Sequence, residues 1–240
     1  LFISRMYHTL SMFATEHFDA IIADEGQDFD AAWWAPLESL LSDPEQGIFY
    51  VFYDDNQRIY GRNYRYPVPA APYILTQNCR NTQAIHRAAM FFYRAETAPS
   101  CLGPEGRVPE IVPCRAGSEE SIALLHVLRR LTGAEKVPLE GIVVLTPCSP
   151  QRSRWQDGLH IGEFELTWDL REPGPRVLCC SIPAFKGLER PVVILTELAR
   201  MTRGERDMLL YVALSRGRHH VVVLGDAAEV KAAISGRVND

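Results

Sequence analysis

The chain has 240 residues, of which 47% are hydrophobic and 23% charged; 25 basic and 30 acidic side chains give a formal net charge of −5. Its 16 glycines and 16 prolines exclude collagen-like and low-complexity architectures, and no apolar run exceeds about eight residues, where a membrane-spanning helix needs roughly 20. The net acidity excludes a chain that is basic all over, yet phosphate binding needs only a local basic surface.

The length suits one large domain or two small ones with a core that needs no staples. Six cysteines, Cys79, Cys101, Cys114, Cys148, Cys179 and Cys180, form no CxxC pair and no disulfide framework. They read as the reduced thiols of a cytoplasmic protein. Residues 1–15 have no secretory pattern.

Short, β-branched, apolar segments recur and predict strands. They are Phe18–Ala23, Ile48–Tyr53, Tyr73–Thr76, Glu110–Val112, Gly141–Thr146, Val177–Ile182, Pro191–Thr196 and His219–Leu224. Being apolar on both faces, they suggest parallel strands sandwiched between helices. Helices are expected over Thr82–Ala95, with Asn81 as N-cap, and over Ser118–Leu131, Thr202–Arg216 and Ala227–Ser235. The alternation describes an α/β fold of open parallel sheets flanked by helices. A Pro-rich stretch, Pro67 to Pro72, separates a first block with only two strands from the rest.

Five polar segments follow strands or helices. The first strand ends in Asp24 and Glu25, followed by Gln27 and Asp28. In α/β sheets ligands bind at the carboxyl ends of strands. A triphosphatase needs one carboxylate for Mg²⁺, usually through its water, and another to activate the attacking water. An N-cap pair at a strand–helix turn is the plainer reading of this segment alone. The second strand ends in Asp54, Asp55, Asn56 and Gln57, then Arg58, Tyr60, Arg62, Tyr64, Arg65 and Tyr66. Interleaved basic and aromatic side chains suit stacking on bases beside phosphates, although a solvated loop is the plainer reading. The remaining three are Leu75 to Thr82 with Arg80, Ser181 to Glu189 with Lys186, and Leu210 to Arg218 with Arg216. Singly, these cations would be ordinary surface or salt-bridged residues.

In order and spacing, the five segments resemble motifs II to VI of superfamily 1 helicases, the UvrD/Rep-like class. The resemblance runs from Phe18 to Gly225. It implies RecA-like sheets: residues 1–72 as the C-terminal part of a first RecA-like domain, and 73–240 as a complete second one. It implies ATP and Mg²⁺ as cofactors, with Asp24 holding Mg²⁺ through water and Glu25 as general base. Gln27 and Gln57 would sit near the γ-phosphate, and Arg80 and Arg216 would reach it as arginine fingers from across a cleft. Gly187 and Glu189 would line the nucleotide side. Tyr60, Arg62, Tyr64, Ser181 and Lys186 would contact single-stranded DNA, or RNA. The interval from Arg80 to Lys186 fits three strands with their helices, without the large domain that UvrD-type members insert there.

The chain departs from the family pattern in several places. No Gly-x-x-x-x-Gly-Lys-Ser/Thr loop occurs, although such a loop cradles the β- and γ-phosphates. Because the sequence opens with Leu and only 23 residues precede Asp24, the expectation is a fragment of a longer ATPase whose upstream portion supplies that Walker A loop. The fragment alone is then expected to be inactive. Arg62 stands where the family has Trp or Phe, Pro183 where it has His, Ser215 for Thr and Gly217 for Ala. The alternative function is a non-catalytic RecA-like module that binds nucleic acid or protein partners; an unrelated α/β nucleotide-binding enzyme has no motif in its favour.

Overall fold

A computed structural model describes residues 17–57, 66–68, 71–94, 97–228, 230 and 231. The chain divides into two compact units, Leu1–Ile74 and Leu75–Asp240.

In the first unit, strands β1 (Ala20–Ala23) and β2 (Ile48–Val51) pair in parallel, with Ala20 opposite Ile48 and Ala23 opposite Val51. The short helix α1 (Trp34–Glu38) lies in the crossover. Trp34 is buried; it stacks on Phe29 at 4.6 Å and meets Phe49 edge-on. The strands are not buried on both faces, as their composition suggests. Register partners share a face, and Ile22, Ile48 and Tyr50 on one face are all exposed, Ile22 at 67%. The helices of a sandwich are what would bury that face; among the described residues α1 packs on the other, through Trp34 against Phe49.

The second unit is built on a seven-stranded sheet in the order β5-β11-β10-β6-β9-β8-β7. These are β5 (Glu110–Val112), β6 (Ile142–Thr146), β7 (His160–Ile161), β8 (Phe164–Thr167), β9 (Val177–Ser181), β10 (Arg190–Leu195) and β11 (Gly217–Leu224). All neighbours are parallel except the β7–β8 pair. This is the mostly parallel, helix-flanked sheet expected of a RecA-like lobe. Helix α2 is Gln83–Met90, α3 is Ser118–Arg129 and α4 is Arg206–Ser215. One sheet face, including Val144, Cys179, Ile194 and Val222, packs with Leu124, Val127 and Leu128 of α3. Helix α4 packs on β10 and β11, and α2 packs on α4 and β11. Near-continuous Val, Ile and Leu in the central strands follow from that double cover.

Several expected boundaries shift. Tyr73–Thr76 forms no strand, and Tyr73 is 91% exposed; β3 (Gln77–Asn78) pairs instead with β4 (Ser100–Cys101). Of this run, the Thr76 carbonyl accepts the Ser100 N–H at 2.8 Å, and Tyr73, Ile74 and Leu75 are exposed, so burial gives them no reason to order as a strand. From Arg80 to Lys186 the described residues hold six short strands, not three. The missed β7–β8 hairpin turns on Gly162 and Glu163, with Gly162 at φ +61°, and a two-residue loop opening on glycine is a hairpin signal. Arg129 grips both oxygens of the turn's Glu163, which holds that carboxyl at about 2. Helix α3 passes into a π-turn at Arg130–Ala134, and α4 starts at Arg206, not Thr202. All six cysteines are free, and burial pushes the Cys180 thiol up to about 11 and Cys179 higher still.

At the sheet edge, Arg130 donates to both carboxylate oxygens of Glu110, at 2.8 and 2.6 Å, which lowers the Glu110 pKa. A lowered folded-state pKa stabilises the protein above the ordinary carboxylate range, and the gain disappears as pH falls through the lowered value. Glu110→Gln is therefore expected to lower stability near about pH 7, with a smaller gap to wild type near about pH 3. Urea unfolding at both pH values checks this; a gap that does not narrow in acid refutes it.

Candidate nucleotide-binding residues in the two units

The parallel pairing of β1 and β2 brings two polar strand ends together. Gly26 donates its N–H to the Phe52 carbonyl at 2.9 Å, and a Cβ at Gly26 would stand 2.4 Å from Val51 Cγ1, so only glycine fits. Glu25 adopts a left-handed conformation (φ 55°, ψ 39°) and donates its N–H to Asp24 Oδ1 at 2.8 Å. Non-glycine residues in that region carry strain of about 1–3 kcal/mol and concentrate at functional sites. Gln27 is fully buried: its amide donates to Glu25 Oε2 at 2.6 Å and accepts from the Asp54 N–H at 3.0 Å. Asp54 in turn accepts from the Gln57 side chain at 2.8 Å and from the Asn56 N–H at 2.9 Å.

The first unit thus joins Glu25, Gln27 and Gln57 in one hydrogen-bonded chain, with Asp24 at its start. Sequence reading placed these residues but not the hub, Asp54. Asp24 is exposed, and Oδ2 has no partner among the described residues. A hard carboxylate oxygen open to water fits a water-mediated Mg²⁺ contact. Among the described residues no group of three His, Cys, Asp or Glu could hold a metal alone. Tyr60, Arg62 and Tyr64 lie outside the described residues.

In the second unit, Arg80, Glu189 and Arg216 gather at the amino ends of β10 and β11. Arg80 Nε pairs with Glu189 Oε2 at 2.7 Å. Asn81 is not the N-cap of α2, a position that Thr82 takes. Its buried side-chain amide donates instead to the carbonyls of Ser215 and Gly217, at 3.0 and 2.6 Å, which flank Arg216. Thr82 N–H donates to the Arg218 carbonyl at 3.2 Å. Asn78 supports this arrangement: its amide nitrogen donates to Asn81 Oδ1, and its oxygen accepts the Arg80 N–H. The same nitrogen meets His86 Nδ1 at 3.0 Å, while His86 Nε2 meets the Pro99 carbonyl; burial lowers the His86 pKa. Neutral His86 accepts at Nδ1 and donates at Nε2.

Arg216 itself is 1% exposed. Its guanidinium donates to Ser215 Oγ at 2.9 Å, to the Val212 carbonyl at 3.2 Å and to the Leu188 carbonyl at 3.4 Å. A reach across a cleft requires it to leave these partners.

Ser181 lies at the opposite, carboxyl edge of the sheet, as the last residue of β9, and its Oγ accepts the Ala184 N–H. Lys186 and Gly187 occupy the crossover between β9 and β10, which turns on Gly187 at φ +79°. The sequence-predicted residues of this unit therefore fall at two edges.

The carboxyl edge holds a network that sequence reading missed. The β6 chain leaves toward β9 and the β10 chain toward β11, so a crevice opens between them. Here it is filled. Buried Glu197 accepts from Thr146 and Ser153 hydroxyls, both at 2.6 Å, and buried Glu120 accepts from the Thr196 hydroxyl at 2.6 Å. Arg154 pairs with Glu120, and fully buried Trp155 donates to Thr196 Oγ1 at 3.2 Å. The available signal was a Glu following an apolar strand and an Arg-Trp pair after a turn.

Residues 176–224 match the UvrD-like helicase C-terminal domain. The matched stretch runs from β9 to β11 and contains Lys186, Glu189 and Arg216, in line with the resemblance that their motifs carry. Among solved structures, the chain is similar to the C-terminal domain of a possible DNA helicase from Lactobacillus plantarum WCFS1, with 16% identity over 61% of this chain and 86% of that one and a TM-score of 0.45. It is also similar to the PRRSV helicase, with 15% identity over 85% of this chain and a TM-score of 0.43; it spans 34% of that chain. No curated protein matched. Among the described residues no helix is long and apolar enough to cross a membrane.

Asn81→Asp keeps the shape of the side chain but cannot donate to two carbonyls. It is expected to destabilise the protein by about 1–3 kcal/mol, because buried acceptors lose their partners. Denaturant unfolding measures this, and an unchanged midpoint would remove the clamp.

Proposed function

We propose that this chain is part of an ATP-dependent superfamily 1 helicase or translocase, a cytoplasmic motor that moves on single-stranded DNA or RNA. The observation that carries the reading is the gathering of Arg80, Glu189 and Arg216, from three separate motifs, at one sheet edge. A fold built for shape alone has no need to collect three charged side chains at that edge.

In this reading Glu25 orients and deprotonates water, while Gln27 holds its carboxylate and, through Asp54, relates it to Gln57. Asp24 holds Mg²⁺ through water. The ion, when bound, supplies charge neutralisation at the phosphates. Arg80 and Arg216 stabilise charge on the transferred phosphoryl group. Ser181, Lys186, Tyr60, Arg62 and Tyr64 serve the nucleic acid, with Gly187 giving the crossover its turn. The phosphate loop comes from an upstream portion of a longer chain.

Burial of Arg216 favours a second reading, in which it is a structural cation that pins the end of α4 in a non-catalytic module. The two readings separate by experiment. In a polypeptide that joins this sequence to a Gly-Lys-Thr loop, Arg216→Ala is expected to lower kcat by about 10³–10⁵ with nucleotide affinity largely retained. A fallen Tm with ATP affinity and kcat retained supports the structural cation. The 240-residue chain alone is expected to show no ATP hydrolysis. DNA-stimulated turnover by that chain, abolished in Glu25→Gln, would overturn the expectation.

A further inference from the structure

The Arg80–Glu189 pair has a third member that no motif assigns. Arg218 Nε lies 3.4 Å from Glu189 Oε1, while Arg80 Nε pairs with Oε2. One carboxylate thus spans two guanidinium groups. All three side chains stay in contact with water, with 42% of Arg80, 38% of Glu189 and 47% of Arg218 exposed. The pairing is not an accident of long, loose side chains. The Asn81 amide and the Thr82 N–H tie the backbone beside Arg80 to the carbonyls of Ser215, Gly217 and Arg218.

The three segments that carry this pairing are rich in cations. The segments Asn78–Thr82, Lys186–Arg190 and Ser215–Arg218 contain Arg80, Lys186, Arg190, Arg216 and Arg218 against the single carboxylate of Glu189. Arg190 donates to the Glu189 carbonyl at 2.9 Å, so it stands at the same place. In a chain with a net charge of −5, such a local excess of cations has an anion as its natural ligand. Two guanidinium forks on adjacent loops match an anion with oxygens on more than one centre, such as a polyphosphate.

We propose that Arg218 is a further phosphate-binding residue of the nucleotide site, and that the Glu189 carboxylate occupies the Arg80–Arg218 pair until a polyphosphate displaces it. The inference rests on the nucleotide reading of Arg80 given above. It assigns Glu189 the part of a resident counter-ion. Removing that charge leaves two cations facing one another, which favours an incoming anion.

Binding of inorganic pyrophosphate to the 240-residue chain, followed by calorimetry at low salt, tests this. Glu189→Gln is expected to bind about three- to tenfold more tightly than wild type, and Arg218→Gln more weakly by a similar factor. The tightening is expected to vanish in the double variant. Glu189→Gln that binds no tighter, or Arg218→Gln that binds as well as wild type, overturns the proposal, and circular dichroism verifies that each variant is folded. Competition separates the sources of phosphate. ATP that displaces pyrophosphate supports the assignment. Displacement by an oligothymidylate and not by ATP overturns the nucleotide assignment of both Arg218 and Arg80. If ATP competes but the variants are silent, this inference alone fails and the nucleotide reading stands.

Discussion

The side chain of Asn81 gives both amide hydrogens to carbonyls that lie 134 and 136 residues away in sequence, on either side of Arg216. The backbone around Arg80 and Arg216 in the second unit is tied together by that contact. The amide oxygen is occupied by Asn78, whose own oxygen takes the Arg80 N–H. One buried polar group therefore sets the backbone at two arginines at once. Buried amides must be fully paired to be tolerated, so the arrangement is specific as well as stabilising. Leucine or alanine here would fill space but leave the carbonyls without donors.

The first unit uses the same logic on a smaller scale. Two parallel strands end side by side, and a buried glutamine links Glu25 on one to Asp54 on the other. The left-handed backbone at Glu25 is held by this pairing and by the close approach of Gly26 to β2. Strain of this kind persists only where the surroundings over-determine it. The carboxylate is thus positioned by its neighbours.

The second unit places two polar clusters at opposite ends of its strands. The crevice at the carboxyl ends of β6 and β10, where α/β sheets ordinarily receive ligands, is closed by Trp155 and by the Glu120, Glu197 and Arg154 network. The arginines stand at the amino ends of β10 and β11 instead. Two carboxylates buried among hydroxyls, backbone donors and the guanidinium groups of Arg154 and Arg200 make that closure a polar plug, fixed by hydrogen bonds and not only by apolar contact.

By itself, the sequence determined the α/β class, the parallel strands of the second unit and the positions of Asp24, Glu25, Gln57, Arg80, Glu189 and Arg216. The fold class rests on local signals, apolar strands covered on both faces, whereas those residues are singled out by the resemblance of their five segments, in order, to helicase motifs. Only the tertiary structure decided that Asn81 is a clamp and not a helix cap, that Arg216 is buried, that Arg218 shares Glu189 with Arg80, and that a buried Glu120–Glu197 network fills the carboxyl edge. Each of these is a contact between residues far apart in the chain. An asparagine before a helix looks like a cap in sequence because capping is a local interaction, and its true partners come into range only when β11 is laid beside β10.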